Sequence, residues 1–270
     1  MLSDPKTDAD LRHALIATAH ALADAAAPVT LGGFRSAGLH TDNKLDRGFD
    51  PVTEADRAAE RAMRDELARL RPDDAILGEE YGHKAGTTGL TWVLDPIDGT
   101  RGYISGTPTW GTLIAVNGTQ GPIFGLIDQP YTGERFVGGF GNAQLLRDQS
   151  RIALRTKVND ALGAAILFTT FPEIGTPQDR EAFTRVADSC RLVRYGMDCY
   201  AYALLAAGQI DLVIEAGLNA YDIAAPIAVI EAAGGVVTNW EGGPVHDGGR
   251  AVAAANPALH RAALDLLAAG

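Results

Sequence analysis

Cysteine is nearly absent from this 270-residue chain. Cys190 and Cys199 are too few for a disulfide framework or a zinc site, so both thiols are expected to be reduced. Positive charge is also short: Lys+Arg 23 against Asp+Glu 34 leaves a net charge of -11, and a nucleic-acid partner would meet no attracting field. The opening residues, Met1-Leu2-Ser3-Asp4-Pro5-Lys6, lack the basic stretch and apolar run of an export leader. No later run approaches the roughly 18 apolar residues of a membrane span. The expectation is a cytoplasmic protein with neither membrane nor nucleic acid as partner. His13, His20, His40, His83, His246 and His260 are scattered without metal-ligand spacing, and Gly139-Phe140-Gly141 lacks the third glycine of a dinucleotide fingerprint.

What the chain does have is apolar content, 46% hydrophobic, enough to bury a substantial core in one or two domains. Leu11, Leu15, Ala19 and Leu22 recur at helical spacing and predict a helix over 9–26, ended by Pro28. A second helix is predicted from Thr53, capped through Asp56 and carried by Ala59, Met63, Leu67 and Leu70 up to Pro72. Short apolar runs at 75–77, 92–94, 112–116, 123–127 and 135–137, parted by glycine-rich turns, predict sheet. Beyond about residue 151, strands (165–168, 191–194, 212–215, 236–238, 251–254) alternate with helices (179–188, 200–207, 222–233, 257–269). The fold class is α/β, with an N-terminal α+β half over 1–150 and a C-terminal α/β half over 151–270.

The densest chemical signal is Trp92-Val93-Leu94-Asp95-Pro96-Ile97-Asp98-Gly99-Thr100, an apolar strand that delivers two carboxylates into a bent turn. A hard cation such as Mg²⁺ wants oxygen ligands, and Asp95, Asp98 and the free carbonyl of Ile97 supply three from one rigid element. If Thr100 opens a helix, its amide and that of Gly99 point outward and can hold a phosphate oxygen. Glu79 also follows an apolar run, while Asp56 and Asp222 stand at helix starts, Asp222 as an N-cap. Each has an ordinary turn or cap explanation alone. Four such acids on apolar elements able to converge on one cleft do not.

Asp50-Pro-Val-Thr-Glu-Ala-Asp56, Gly78-Glu-Glu80, Leu94-Asp-Pro-Ile-Asp-Gly-Thr100, Tyr221-Asp222 and Glu231-Ala-Ala-Gly-Gly235 resemble, in order and spacing, the signature segments of the inositol monophosphatase superfamily. The resemblance covers nearly the whole chain. It implies a layered α-β-α-β-α sandwich, two or three Mg²⁺ ions per site and a homodimer. It further implies that Glu79, Asp95 and the Ile97 carbonyl hold one metal, that Asp95, Asp98 and Asp222 hold a second, and that Glu79 shares a third. Asp56 and Thr100 would orient and activate the attacking water, and the amides of Asp98, Gly99 and Thr100 would grip the phosphate. Other phosphatase chemistries lack their marks: Gly196 and Leu205 stand where a cysteine phosphatase needs arginine, and Asp8-Ala9-Asp10 follows polar residues, not a buried strand.

Around this floor the chain departs from the usual inositol-phosphate pattern. Thr100 is followed by Arg101-Gly-Tyr-Ile-Ser-Gly106, and Tyr221 replaces a common tryptophan. Thr109-Trp-Gly-Thr-Leu113, Tyr195-Gly-Met-Asp-Cys-Tyr-Ala-Tyr-Ala-Leu-Leu205 and Ile214-Glu215 resemble the histidinol-phosphatase branch, which acts in histidine biosynthesis. Histidinol phosphate carries an ammonium and an imidazole, so its pocket should offer carboxylates the metals do not use. Asp198, otherwise a helix cap, and Glu215 are the candidates; Arg101 either touches phosphate or makes an intersubunit salt bridge. Inositol 1-phosphate, nucleotide 3′-phosphates and sugar bisphosphates are the alternative esters, and a non-catalytic metal-binding or assembly protein is the alternative class.

Overall fold

Alanine and leucine build the first helix of the computed structural model, which describes residues 8–39, 41–43 and 51–269. Helix α1 (Ala9–Gly33) is capped by Asp8, whose Oδ1 accepts the Leu11 amide at 3.0 Å. It does not stop at Pro28. Proline forfeits one N–H, but Thr30 Oγ1 donates to the Ala27 carbonyl at 3.1 Å and the Tyr103 hydroxyl to the Thr30 carbonyl at 2.6 Å, so tertiary packing sustains the last turn. So prolonged, α1 is long and apolar enough to cross a membrane by length and composition, with a mean hydropathy of 1.4, contrary to the sequence expectation. Its Leu15, Ala19, Leu22, Ala23 and Ala26 face is nevertheless sealed within the protein core. Asp50 and His40 lie outside the described residues.

A two-stranded ribbon, β1 (Thr41–Asn43) with β2 (Pro51–Thr53), leads into α2 (Glu54–Leu70). The predicted capping box is present, Asp56 Oδ2 accepting the Thr53 amide at 2.8 Å. Then come β3 (Ala75–Gly78), β4 (Gly82–Lys84), β5 (Thr91–Asp98), α3 (Thr100–Ser105), β6 (Gly111–Gly118), β7 (Gly121–Gln129), β8 (Glu134–Gly139), β9 (Asn142–Arg147) and β10 (Ser150–Ala153). They form one eight-stranded sheet in the order β10-β9-β8-β7-β6-β5-β3-β4, antiparallel except where β3 runs parallel to β5. Strands β4, β9 and β10 escape sequence reading because they are short or largely polar and owe their extension to pairing.

The second sheet draws on β11 (Ile166–Thr169), β12 (Leu192–Tyr195), β13 (Leu212–Asn219), β14 (Val236–Asn239) and β15 (Gly248–Ala254), in the order β12-β11-β13-β15-β14. Its helices are α4 (Pro177–Ala187), α5 (Asp198–Ala206), α6 (Ala220–Ala232) and α7 (Pro257–Ala268). Strand alternation sorts the core into layers. Trp92 and Leu94 of β5 pack with α1 and α2, whereas Val93 faces α5 and α6. In β13, Val213 joins that same middle layer, and Leu212 and Ile214 face α4 and α7. The result is the layered α-β-α-β-α sandwich, helices α5 and α6 filling the space between the sheets.

Helix α6 lies on the first sheet at backbone distance. A Cβ on Gly125 of β7 would stand 2.4 Å from the Ala225 carbonyl oxygen, and one on Gly138 of β8 would stand 2.4 Å from Val229 Cα. These two glycines set the depth at which the helix, and Asp222 on its first turn, approaches the end of β5.

Candidate active site

Strand β5 pairs in regular register with β6 as far as Asp95, slips, and pairs again at Asp98. The irregularity breaks the strict alternation of a strand, so both carboxylates reach the same cleft. Asp95 is 1% exposed, and its Oδ1 has no hydrogen-bond partner among the described residues. Asp98 Oδ2 accepts the Cys199 amide at 2.6 Å, tying β5 to the start of α5. Asp222 comes from the other direction. It is the third residue of α6, not the N-cap that sequence suggests; Asn219 caps, and its amide donates to Asp222 Oδ2 at 2.7 Å. Ligand atoms of Asp95, Asp98 and Asp222 all lie within 4.8 Å of one another.

Such crowding is costly. Burial first, then the charges of Glu79, Asp98 and Asp222, push the Asp95 carboxyl well above the usual carboxylate range. Burial, followed by Asp198 and Asp222, does the same to Asp98. An all-oxygen set of this kind, with one buried oxygen unmatched, fits a hard divalent cation, which would supply the missing positive charge. Asp95, Asp98, Asp222, Glu79 and the Ile97 carbonyl are the residues able to hold it. That carbonyl is not free, as sequence implied, because Thr100 Oγ1 donates to it at 3.1 Å; a second lone pair remains.

Glu79 stands just past β3, in a turn gripped from behind. Fully buried Glu60 of α2 accepts the amides of Glu80 at 2.7 Å and Tyr81 at 3.2 Å and pairs with Arg64 at 2.7 Å. Asp56 is not on the cleft wall but behind it, 1% exposed, with Oδ1 3.5 Å from Thr100 Oγ1. Its burial, reinforced by Glu79 and Glu80 and opposed by hydrogen bonds from Thr53, raises its carboxyl to about 6.

Helix α3 begins at Thr100 behind Gly99, which adopts a left-handed φ of 83° and provides no side-chain cap. A Cβ at Gly99 would also stand 2.9 Å from the Asp198 side chain. Glycine is therefore required twice over, by conformation and by space, and the first amides of α3 remain open to an anion. Asp198 is the first residue of α5, with Met197 as cap, and holds a left-handed φ of 45°. Burial raises it to about 6, against the pull of Arg101.

Glu215 forms the far wall. It lies at a bulge of β13, not at the strand's end, and accepts Thr169 Oγ1 at 3.2 Å, the Thr170 amide at 2.6 Å and Thr170 Oγ1 at 2.9 Å. Burial lifts its carboxyl to about 7 in spite of those donors. The Arg101 guanidinium sits 4.8 Å from the centre of the Phe171 ring, spanning the cleft from α3 to the end of β11. The cleft, about 250 Å³, is thus walled by Glu79, Asp95, Ile97, Asp98, Gly99, Thr100, Arg101, Asp198, Glu215 and Asp222 together. Sequence reasoning passed over Thr170, Phe171 and Tyr202. The one available signal was spacing: Tyr202 is four residues beyond Asp198 and shares its face of α5.

Fold and cleft define a layered α/β protein with an acid-walled site suited to a hard cation and an anion. A sequence profile of the inositol monophosphatase family matches residues 11–269. A chloroplastic bifunctional phosphatase, IMPL2, of Arabidopsis thaliana is 43% identical over 84% of this chain, which spans 64% of that protein. A histidinol-phosphatase of Streptomyces coelicolor is 37% identical over 90% of this chain and 92% of its own. Among solved structures, an inositol monophosphatase from Zymomonas mobilis superposes with a TM-score of 0.82 at 39% identity, covering 93% of this chain and 96% of that one. The chain belongs to the inositol monophosphatase family and is a phosphatase of that family.

Proposed function

We propose that the protein is a Mg²⁺-dependent phosphomonoesterase acting on a cationic ester, histidinol phosphate before others, as a cytoplasmic homodimer. The observation that carries the substrate is Glu215, a carboxylate that lines the same cleft as the acid cluster, with Asp198 as a second. A metal floor explains Asp95, Asp98 and Asp222. It does not explain two further acids, whose charge suits an ammonium or imidazolium. Likeness to the Streptomyces histidinol-phosphatase supports the same reading. Inositol phosphate is the second reading, because Glu215 already accepts three hydrogen bonds and its remaining lone pair also suits a neutral hydroxyl.

When bound, divalent cations would polarise the phosphoryl oxygens, ease ionisation of water and offset the charge of the leaving oxygen. The chain's own residues do the positioning. Open amides at Gly99 and Thr100 hold a phosphate oxygen. By turning its one hydroxyl proton from the Ile97 carbonyl, at 3.1 Å, to Asp56 Oδ1, at 3.5 Å, Thr100 Oγ1 can take a hydrogen bond from the attacking water and relay a proton to Asp56. An acid raised to about 6 accepts a proton near neutral pH more readily than an ordinary aspartate. Water oxygen then bonds to phosphorus as the bond from phosphorus to the ester oxygen breaks; the departing oxygen takes its proton from a solvent water, and Asp56 returns its own to solvent.

Phosphate release from histidinol phosphate, inositol 1-phosphate, a nucleotide 3′-phosphate and a sugar bisphosphate, with Mg²⁺ or chelator, tests this reading. The expected kcat/KM for histidinol phosphate exceeds the others by about tenfold or more, the worth of one charge-assisted hydrogen bond. Full turnover in chelator, or a preference for inositol phosphate, rejects it.

A further inference from the structure

Tyrosine hydroxyls at Tyr103, Tyr200 and Tyr202 fare differently within this fold. That of Tyr103 donates to the Thr30 carbonyl and that of Tyr200 to Glu134 Oε2, each at 2.6 Å. Tyr202 Oη has no hydrogen-bond partner among the described residues, although the residue is 4% exposed. Its ring belongs to the middle layer of the core, and the residue lines the cleft. Buried phenols ordinarily find a partner, since leaving one unmatched costs as much as a lost hydrogen bond. A helix that invests in this arrangement at the wall of a ligand cleft is keeping a polar atom for something that enters.

We infer that the Tyr202 hydroxyl is a substrate-reading group that hydrogen-bonds a polar atom of the ester's organic half, beside the phosphate. Its surroundings locate that atom. Tyr202 shares the cleft lining with Glu215, Asp98 and Asp222, whose charges, in that order after burial, act on its hydroxyl. Those influences also keep the phenol protonated at any working pH. It can donate to a hydroxyl or ring nitrogen, or accept from an ammonium that Glu215 also holds. Asp198, one helical turn earlier on the same face of α5, brings the acidic edge of the same subsite. The inference deepens the proposed function, because it names the residue that would tell a polar organic group from an apolar one.

Tyr202→Phe removes only the hydroxyl. In the metal-loaded, full-length protein, KM for histidinol phosphate is expected to rise about tenfold relative to any change for p-nitrophenyl phosphate, whose ring has no polar atom next to the ester, with kcat for histidinol phosphate within about twofold. The Tm of the free variant should equal or exceed that of the parent, since no internal hydrogen bond is lost. An equal loss on both esters, an unchanged KM, or a lowered Tm or failure to fold would each overturn the assignment and make the hydroxyl water-bound or structural. If the parent enzyme prefers another polar ester, the histidinol reading falls while the same comparison, run on that ester against p-nitrophenyl phosphate, still decides the role of Tyr202.

Discussion

Glu215 gives the cleft a pH dependence near neutrality. Its carboxyl is lifted to about 7 by burial, far above its ordinary value, so near neutrality the free protein holds a proton there that an exposed glutamate would have shed. A cationic substrate binds the ionised form. KM for histidinol phosphate should therefore fall as pH rises toward and through 7, and Glu215→Gln should flatten that slope and raise KM at pH 8 by roughly ten- to a hundredfold. A neutral inositol ester serves as the control, since its KM has no ammonium to lose. Steady-state kinetics on both esters across pH 5.5 to about 8.5 check this, the range spanning the shifted group. A parallel slope in the Gln variant would assign the effect to another group.

At the scale of elements, the site depends on how closely α6 lies on the first sheet. Gly125 leaves no room for a methyl group, the nearest atom being the Ala225 carbonyl oxygen at 2.4 Å. Alanine is ordinarily better than glycine inside a strand, so propensity alone predicts that Gly125→Ala stabilises. Overpacking should win here: the expected outcome is a loss of about 1–3 kcal/mol in denaturant unfolding. Weaker divalent binding should accompany it, because Asp222 moves with the helix. An unchanged or raised midpoint would show that α6 can retreat without cost. The long α1 makes the complementary point. Pro28 is a correct local stop signal, overridden because Thr30 and Tyr103 satisfy the carbonyls of Ala27 and Thr30 on either side of it.

For the molecule as a whole, a net charge of -11 is concentrated most expensively in one cleft. In the metal-free protein Asp95 and Asp98 release their protons at higher pH than the unfolded chain does, their carboxyls being raised by burial and then by neighbouring carboxylates. Stability contributed by these groups is then greatest at acidic pH and declines as pH rises above about 4, the ordinary range of an aspartate. Mg²⁺ should reverse that loss. At a concentration about 100-fold over Kd it contributes about 2.7 kcal/mol. For a chain of this size Tm should rise on the order of 5–10 °C. The gain should be larger at pH 8 than at pH 5, as scanning calorimetry with and without chelator will register. No shift at either pH would mean that the acids do not form a cation site.

By itself the sequence determined the elements and the chemistry available to them. Short apolar runs and helical spacing revealed most strands and helices, the Thr53–Asp56 capping box was legible residue by residue, and strand-end acids announced a cleft. Those signals are local, written within a turn or a strand length. Only the tertiary structure decided that Asp56 stands behind Thr100, that Asp222 occupies the first turn of α6 and not its cap, and that Glu215 sits at a bulge under three threonine donors. Nor could sequence separate Tyr202 from Tyr200, two residues apart on one helix. Tyr200 donates to Glu134 of the first sheet and Tyr202 has no hydrogen-bond partner among the described residues, because what each hydroxyl meets depends on the elements packed around α5, which lie far away in sequence.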